Sequence, residues 1–82
     1  MPYPLDVFAA NLRRLRHERS LTLERLASDA GVHRTHVSRI ERCRCEPGAT
    51  TIVKLARALD VPIAELFAGL DTPSPAGDRA LS

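Results

Sequence analysis

Apolar residues recur three and four positions apart in five successive stretches, and no segment alternates with the period of a strand. Phe8, Leu12 and Leu15 mark the first stretch, and Asp6 can cap a helix that runs to about Arg19. Ser20 and Leu21 break the pattern. Thr22 is a good N-cap for a second helix, with Leu23, Leu26, Ala27 and Ala30 inward. Arg25 takes the third helical position, where a capping box would place Glu or Gln. Gly31 ends this helix, because a residue without Cβ turns sharply at low cost. A third helix opens at Val32 or His33, runs to about Arg42 and hides Val37 and Ile40. Residues 43–48, CRCEPG, form a turn closed by Pro47 and Gly48. A fourth helix covers residues 49–59, with Ile52, Leu55, Ala56 and Leu59 inward. Pro62 can start a short fifth helix, since its fixed φ suits a first helical position. Ile63, Leu66 and Phe67 supply its apolar face, and Leu70 can extend it.

The pattern predicts an all-α chain: an arm over residues 1–5, a helical domain over 6–70 and a disordered tail over 71–82, where Pro, Ser, Gly and Asp leave little to bury. At 82 residues there is room for one domain. Aromatic residues make up only 4% and there is no Trp, so the core must come from Leu, Val, Ile and Ala. A core this small has little stability to spare, and a partner subunit would help it. No apolar run is long enough to span a bilayer, and the start, MPYPLDVF, lacks the basic-then-apolar order of a secretory signal. The expected location is cytoplasmic, which two cysteines do not contradict.

Charge sharpens the picture. The formal net charge is +2, but residues 13–44 carry nine arginines against four carboxylates, a local +5. Residues 60–82 carry one arginine against four carboxylates, a local −3. A basic front and an acidic back suit a molecule oriented on a polyanion. At about 100° per residue, Thr35, Ser38, Arg39 and Arg42 fall opposite the buried Val37 and Ile40, with Arg34 and His36 on the flanks. Such a face suits the major groove of DNA: arginine can hold guanine O6 and N7 in two parallel hydrogen bonds, and Thr or Ser can contact bases. Arg42, Arg44 and the free amides at the start of the second helix are placed to hold phosphates. Glu41 falls near the buried edge and needs a partner, for which Arg16 is the candidate. The large apolar groups around the last helix, Val61, Ile63, Leu66, Phe67 and Leu70, are more than one side of it needs, and they predict a dimer interface.

In order and spacing, LRRLRHERSLTLERLASDAGV, HVSRIER and EPGATTIVKLARALDVPIAELF resemble the Xre-like, Cro and phage-repressor class of helix-turn-helix transcriptional regulators. The resemblance covers residues 8–67. It implies a compact five-helix bundle of the lambda-repressor type that binds a palindromic operator in double-stranded DNA as a homodimer, with no cofactor. It also implies roles by position. Arg34, Thr35 and Arg39 would read bases, with His36 and Ser38 beside them. Thr22, position 23, Arg42 and Arg44 would hold phosphate, and Arg16 and Glu41 would form a salt bridge between the first and third helices. The chain departs from the family pattern twice. Leu23 stands where a Gln often contacts phosphate and braces the reading helix, with Thr22 the nearby polar substitute. Cys43 stands where a Gly usually follows the third helix, at a cost of about 1 kcal/mol if the left-handed conformation is kept.

Other chemistries fit less well. Cys43 and Cys45 with His33 and His36 could be imagined as metal ligands. However, His36 and Cys43 lie about 10 Å apart along the helix axis at 1.5 Å per residue, against ligand distances of roughly 2 Å. A Cys-x-Cys disulfide would be strained. Nearby arginines leave a redox role for the thiols open, against a reading as bystanders. No nucleophile is set beside a base and no Gly-rich phosphate loop appears, so an enzyme is not expected. The rival to a DNA-binding regulator is an antitoxin-type or adaptor module whose main partner is another protein.

Overall fold

In a computed structural model, residues 4–69 are described. They form five helices: α1 (Leu5–Glu18), α2 (Leu23–Ala30), α3 (Arg34–Glu41), α4 (Ala49–Leu59) and α5 (Ile63–Leu66), with no strand among the described residues. Helix α2 packs against α3 and α4, α1 against α3 and α5, and α4 against α5. Phe8, Leu12, Leu15, Leu26, Val37, Ile40, Leu55, Leu59 and Leu66 are fully or almost fully buried in one cluster. Each helix therefore contributes the side chains its apolar spacing singles out, and burial of those stripes drives the packing. Leu23 and Ile52, expected inward, are only half-buried and pack on the edge of the cluster. The rings of Phe8 and Phe67 lie 5.2 Å apart at 56°, joining α1 to the end of α5.

The start of α2 is as expected, and those of α1, α3 and α5 differ in small ways. Thr22 caps α2, its Oγ1 accepting from Arg25 N at 3.0 Å. Helix α1 begins at Leu5 rather than after an Asp6 cap. Phe8 N donates to Pro4 O at 3.4 Å, so the first turn closes earlier and Asp6 lies inside it, where a negative charge still suits the helix dipole. His33 is the cap of α3, with Nδ1 accepting from Thr35 N at 3.1 Å. Pro62 holds the extended cap position before α5, with ψ 152°, and Ile63 is the first helical residue.

Four helices end in the same way. After α1, α2, α3 and α4 the chain enters the left-handed region at Ser20 (φ 55°), Gly31 (φ 72°), Cys43 (φ 59°) and Asp60 (φ 58°). The next amide then reaches back to close the helix: Leu21 N to Arg16 O, Val32 N to Ala27 O, Arg44 N to Arg39 O and Val61 N to Ala56 O, at 2.8–3.0 Å. Only Gly31 adopts this conformation without a steric cost; the other three carry a Cβ into it.

One side chain expected at an intermolecular surface is in the core instead. Leu66 is fully buried, and Asn11 Nδ2 donates to its carbonyl at 3.0 Å and to that of Ala68 at 2.9 Å. Asn11 thus binds the end of α5 onto α1 and turns Leu66 inward, so Leu66 cannot serve a dimer face in this fold. Of the other residues expected there, Ile63 is 43% exposed, Val61 and Phe67 are half-buried, and Leu70 and the tail lie outside the described residues.

Candidate nucleic-acid interface

Helix α3 has two turns and two characters. Val37 and Ile40 are fully buried, while Arg34, Thr35 and Arg39 are exposed and Ser38 is half-exposed on the other side. Arg42 and Arg44 follow the helix and are exposed as well. An isolated eight-residue helix would not persist in water, so tertiary ties must hold α3 in shape and in place.

The main tie is ionic. Glu41 is only 5% exposed. Its carboxylate accepts from Arg16 Nε at 2.8 Å and Nη2 at 3.0 Å, in a two-pronged arrangement. Arg16 Nη1 also donates to Leu21 O at 2.8 Å, and Arg13 Nη1 donates to the carbonyl of Glu41. The base of α3 is thereby fastened to α1 through two arginines. No buried side-chain polar atom among the described residues lacks a partner.

The remaining arginines divide by role. Arg19 donates to Leu59 O at 2.6 Å and so ties the end of α1 to the end of α4. Arg14 pairs with Glu18 and Arg25 with Asp29, each at 3.1 Å and one helical turn apart. Arg34 Nη1 lies 2.9 Å from Glu24 Oε2, across the turn between α2 and α3. Arg39 and Arg44 form no ion pair among the described residues, and Arg42 Nε reaches only the Ser38 carbonyl at 3.4 Å. Uncompensated positive charge is therefore present on and just after α3, and the exposed Lys54 and Arg57 of α4 form no ion pair among the described residues either.

The other candidate residues are placed as follows. Thr22 is exposed at the start of α2. Leu23 turns its side chain toward the core, so only its backbone amide is available to a ligand there. His36 is half-buried, and its Nδ1 lies 3.6 Å from Cys45 Sγ, which draws the ring toward the loop before α4. Cys43 and Cys45 are both free thiols. Among the described residues no three His, Cys, Asp or Glu side chains are grouped to hold a metal, and no helix is long and apolar enough to cross a membrane. The roles of Asn11, Arg13, Arg19 and Glu24 were not legible in the sequence. All four look like ordinary outward polar positions until the helices are assembled, and Glu24 meets Arg34 only because the turn at Gly31 folds α3 back over α2.

Known proteins share this fold. Residues 7–68 match the family model described as a helix-turn-helix domain. The chain belongs to that family. Among relatives, the HTH-type transcriptional repressor RghR of Bacillus subtilis is 46% identical over 59 residues, covering 71% of this chain and 44% of that protein. The control protein C.SmaI of Serratia marcescens is 33% identical over 62 residues, covering 76% of this chain and 74% of that protein. Among solved structures, the restriction-modification controller protein C.AhdI from Aeromonas hydrophila is 40% identical with a TM-score of 0.75, covering 77% of this chain and 96% of that one. The chain spans less than half the length of the first curated relatives it matches. In this helix-turn-helix domain α2 and α3 are the two helices of the motif and Gly31 is its turn.

Proposed function

We propose that this chain is a sequence-specific DNA-binding transcriptional regulator, most simply a repressor that occludes a promoter. The observation that carries the reading is the face of α3: exposed Arg34, Thr35 and Arg39 with half-exposed Ser38, over a fully buried Val37 and Ile40. The likeness to proteins named as transcriptional repressors and restriction-modification controllers supports it. A helix of that kind enters the major groove, where Arg34 and Arg39 present paired donors to purines and Thr35 and Ser38 reach neighbouring base edges. His36 lies at the edge of this set. Arg42 and Arg44 neutralise phosphates beyond the helix, and Thr22 with the Leu23 amide meets the backbone on the other side. Nothing in this reading asks for catalysis or a cofactor.

Binding is as a homodimer on a palindromic operator. The exposed Ile63, with the half-buried Val61 and Phe67, offers the apolar surface for the second copy, and the two reading helices then sit about 34 Å apart, one turn of DNA. The test is selection of bound duplexes from a random pool, followed by titration of the enriched duplex against salt. Paired half-sites one turn apart and a steep loss of affinity with salt are expected. Enrichment of single, unpaired half-sites would remove the dimer. Enrichment of nothing would remove DNA as the ligand and leave the protein-partner reading.

A further inference from the structure

The Glu24–Arg34 pair is placed oddly for a structural salt bridge. Both side chains are more than half exposed, at 60% and 64%, and exposed pairs of this kind add little to stability. They nevertheless join the second residue of α2 to the first residue of α3, ten positions apart, at 2.9 Å. Leu23, beside Glu24, packs its side chain toward the core and offers no polar group to steady the reading helix. The contact engages only Nη1, and a guanidinium carries five N–H donors in a rigid plane. The Nε and Nη2 edge stays open for a second partner.

We propose that Glu24 is a specificity-determining positioning residue. It tethers Arg34 by one nitrogen, aims the open edge of the guanidinium at the O6 and N7 of a guanine, and cancels the charge that would otherwise draw Arg34 to any phosphate. This rests on the DNA-binding reading above and deepens it. Arg34 and Arg39 then work differently. Arg39 is an uncompensated cation that binds bases and raises affinity for every duplex. Arg34 discriminates at little cost in non-specific attraction, because a neutral pair releases few counterions when it docks. A protein that must find one operator among many competing sites depends on that ratio rather than on raw affinity.

The experiment compares wild type, Glu24→Gln, Arg34→Ala and the double variant on two duplexes: the one enriched by selection and a scrambled duplex of the same composition. Glu24→Gln keeps the size of the side chain and frees the charge of Arg34. Its affinity for the scrambled duplex should rise about fivefold, the scale of one charge–charge contact at 4 Å in water. The salt slope on that duplex should steepen by about 0.9. The operator-to-scrambled ratio should fall by at least that fivefold, with relaxed preference at one base pair per half-site. In the Arg34→Ala background the same substitution should leave the ratio unchanged. A wild-type ratio and slope in Glu24→Gln overturn the proposal, as does an equal loss on both duplexes or a ratio change that persists without Arg34. These failures occur with wild-type protein still binding its operator. Wild-type protein that ignores every duplex removes the DNA reading itself, and this inference with it.

Discussion

Replacing Glu41 with Ala tests whether α3 is held by its ion pair. Glu41 and Arg16 are nearly buried, with side chains 6% and 12% exposed, and they share two hydrogen bonds of 2.8 and 3.0 Å. Removing one member of such a pair typically costs 3–5 kcal/mol, because the other charge is left poorly solvated. Arg16 keeps its bond to the Leu21 carbonyl and a little solvent, so the lower end of that range, about 3 kcal/mol, applies here. A domain of this size gains or loses about 4–8 °C of melting temperature per kcal/mol, which converts to a drop of roughly 12–24 °C. Total stability at about 0.05–0.15 kcal/mol per residue is of order 4–12 kcal/mol, so the variant folds but with much of its margin gone. Thermal unfolding followed by far-UV circular dichroism reads this directly. The double replacement Arg16→Met with Glu41→Leu should recover most of the loss, since it buries no uncompensated charge. If Glu41→Ala melts like the wild type, or if the double replacement costs as much as two independent losses, the pair is not what holds α3 to α1.

Three further outcomes are expected. Arg39→Ala should relax base preference at one position of each half-site by about 1–3 kcal/mol, seen as a reordering of operator variants in competition binding; an unchanged order would take Arg39 out of the reading set. Arg44→Ala should weaken all duplexes alike and lower the salt slope by about 1, because a phosphate contact carries no sequence information. Cys43→Gly should raise the melting temperature, since relief of a Cβ at φ 59° gains about 1 kcal/mol and the added freedom of the unfolded chain takes back part of it. A lower melting temperature would mean that the Cys43 side chain contributes more than its backbone costs.

Most of the fold can be read from the sequence because the helices here are short and strongly striped. Phe8, Leu12 and Leu15, then Leu26 with Ala27 and Ala30, then Leu55, Ala56 and Leu59, lie at the spacing that a buried stripe requires, and all are buried. Glu41 is legible for the same reason: a charge on the apolar side of a helix announces a partner. What is not legible depends on how helices meet. The four-residue α5 is too short for its stripe to say which side faces in, so Leu66 belongs to the core although spacing alone suits it equally to an interface. Asn11 sits among arginines on α1, and nothing local marks it as the anchor of carbonyls more than fifty residues away. The link between Glu24 and Arg34 needs the turn at Gly31 to be folded, and the approach of His36 to Cys45 needs the loop before α4.

The distribution of arginines follows from the same shortness. Two turns of helix bury only Val37 and Ile40 deeply, too little apolar surface to fix the tilt and depth of α3 against the rest of the domain. Precise positioning then has to come from directional bonds, and arginine, with five donors on a rigid plane, supplies them to carbonyls and carboxylates alike. Arg13 and Arg16 do so at the base of α3, and Arg19 does so between α1 and α4. Several arginines of this basic sequence are thus framework, while Arg39, Arg42 and Arg44 keep uncompensated charge on and beside the reading face. Substitutions in the framework should therefore disturb recognition and stability together, whereas those at Arg39 and Arg44 should disturb recognition with the fold intact. That separation is what a helix presented on a rigid support requires, and it would be lost if α3 were an autonomous peptide docked loosely on the bundle.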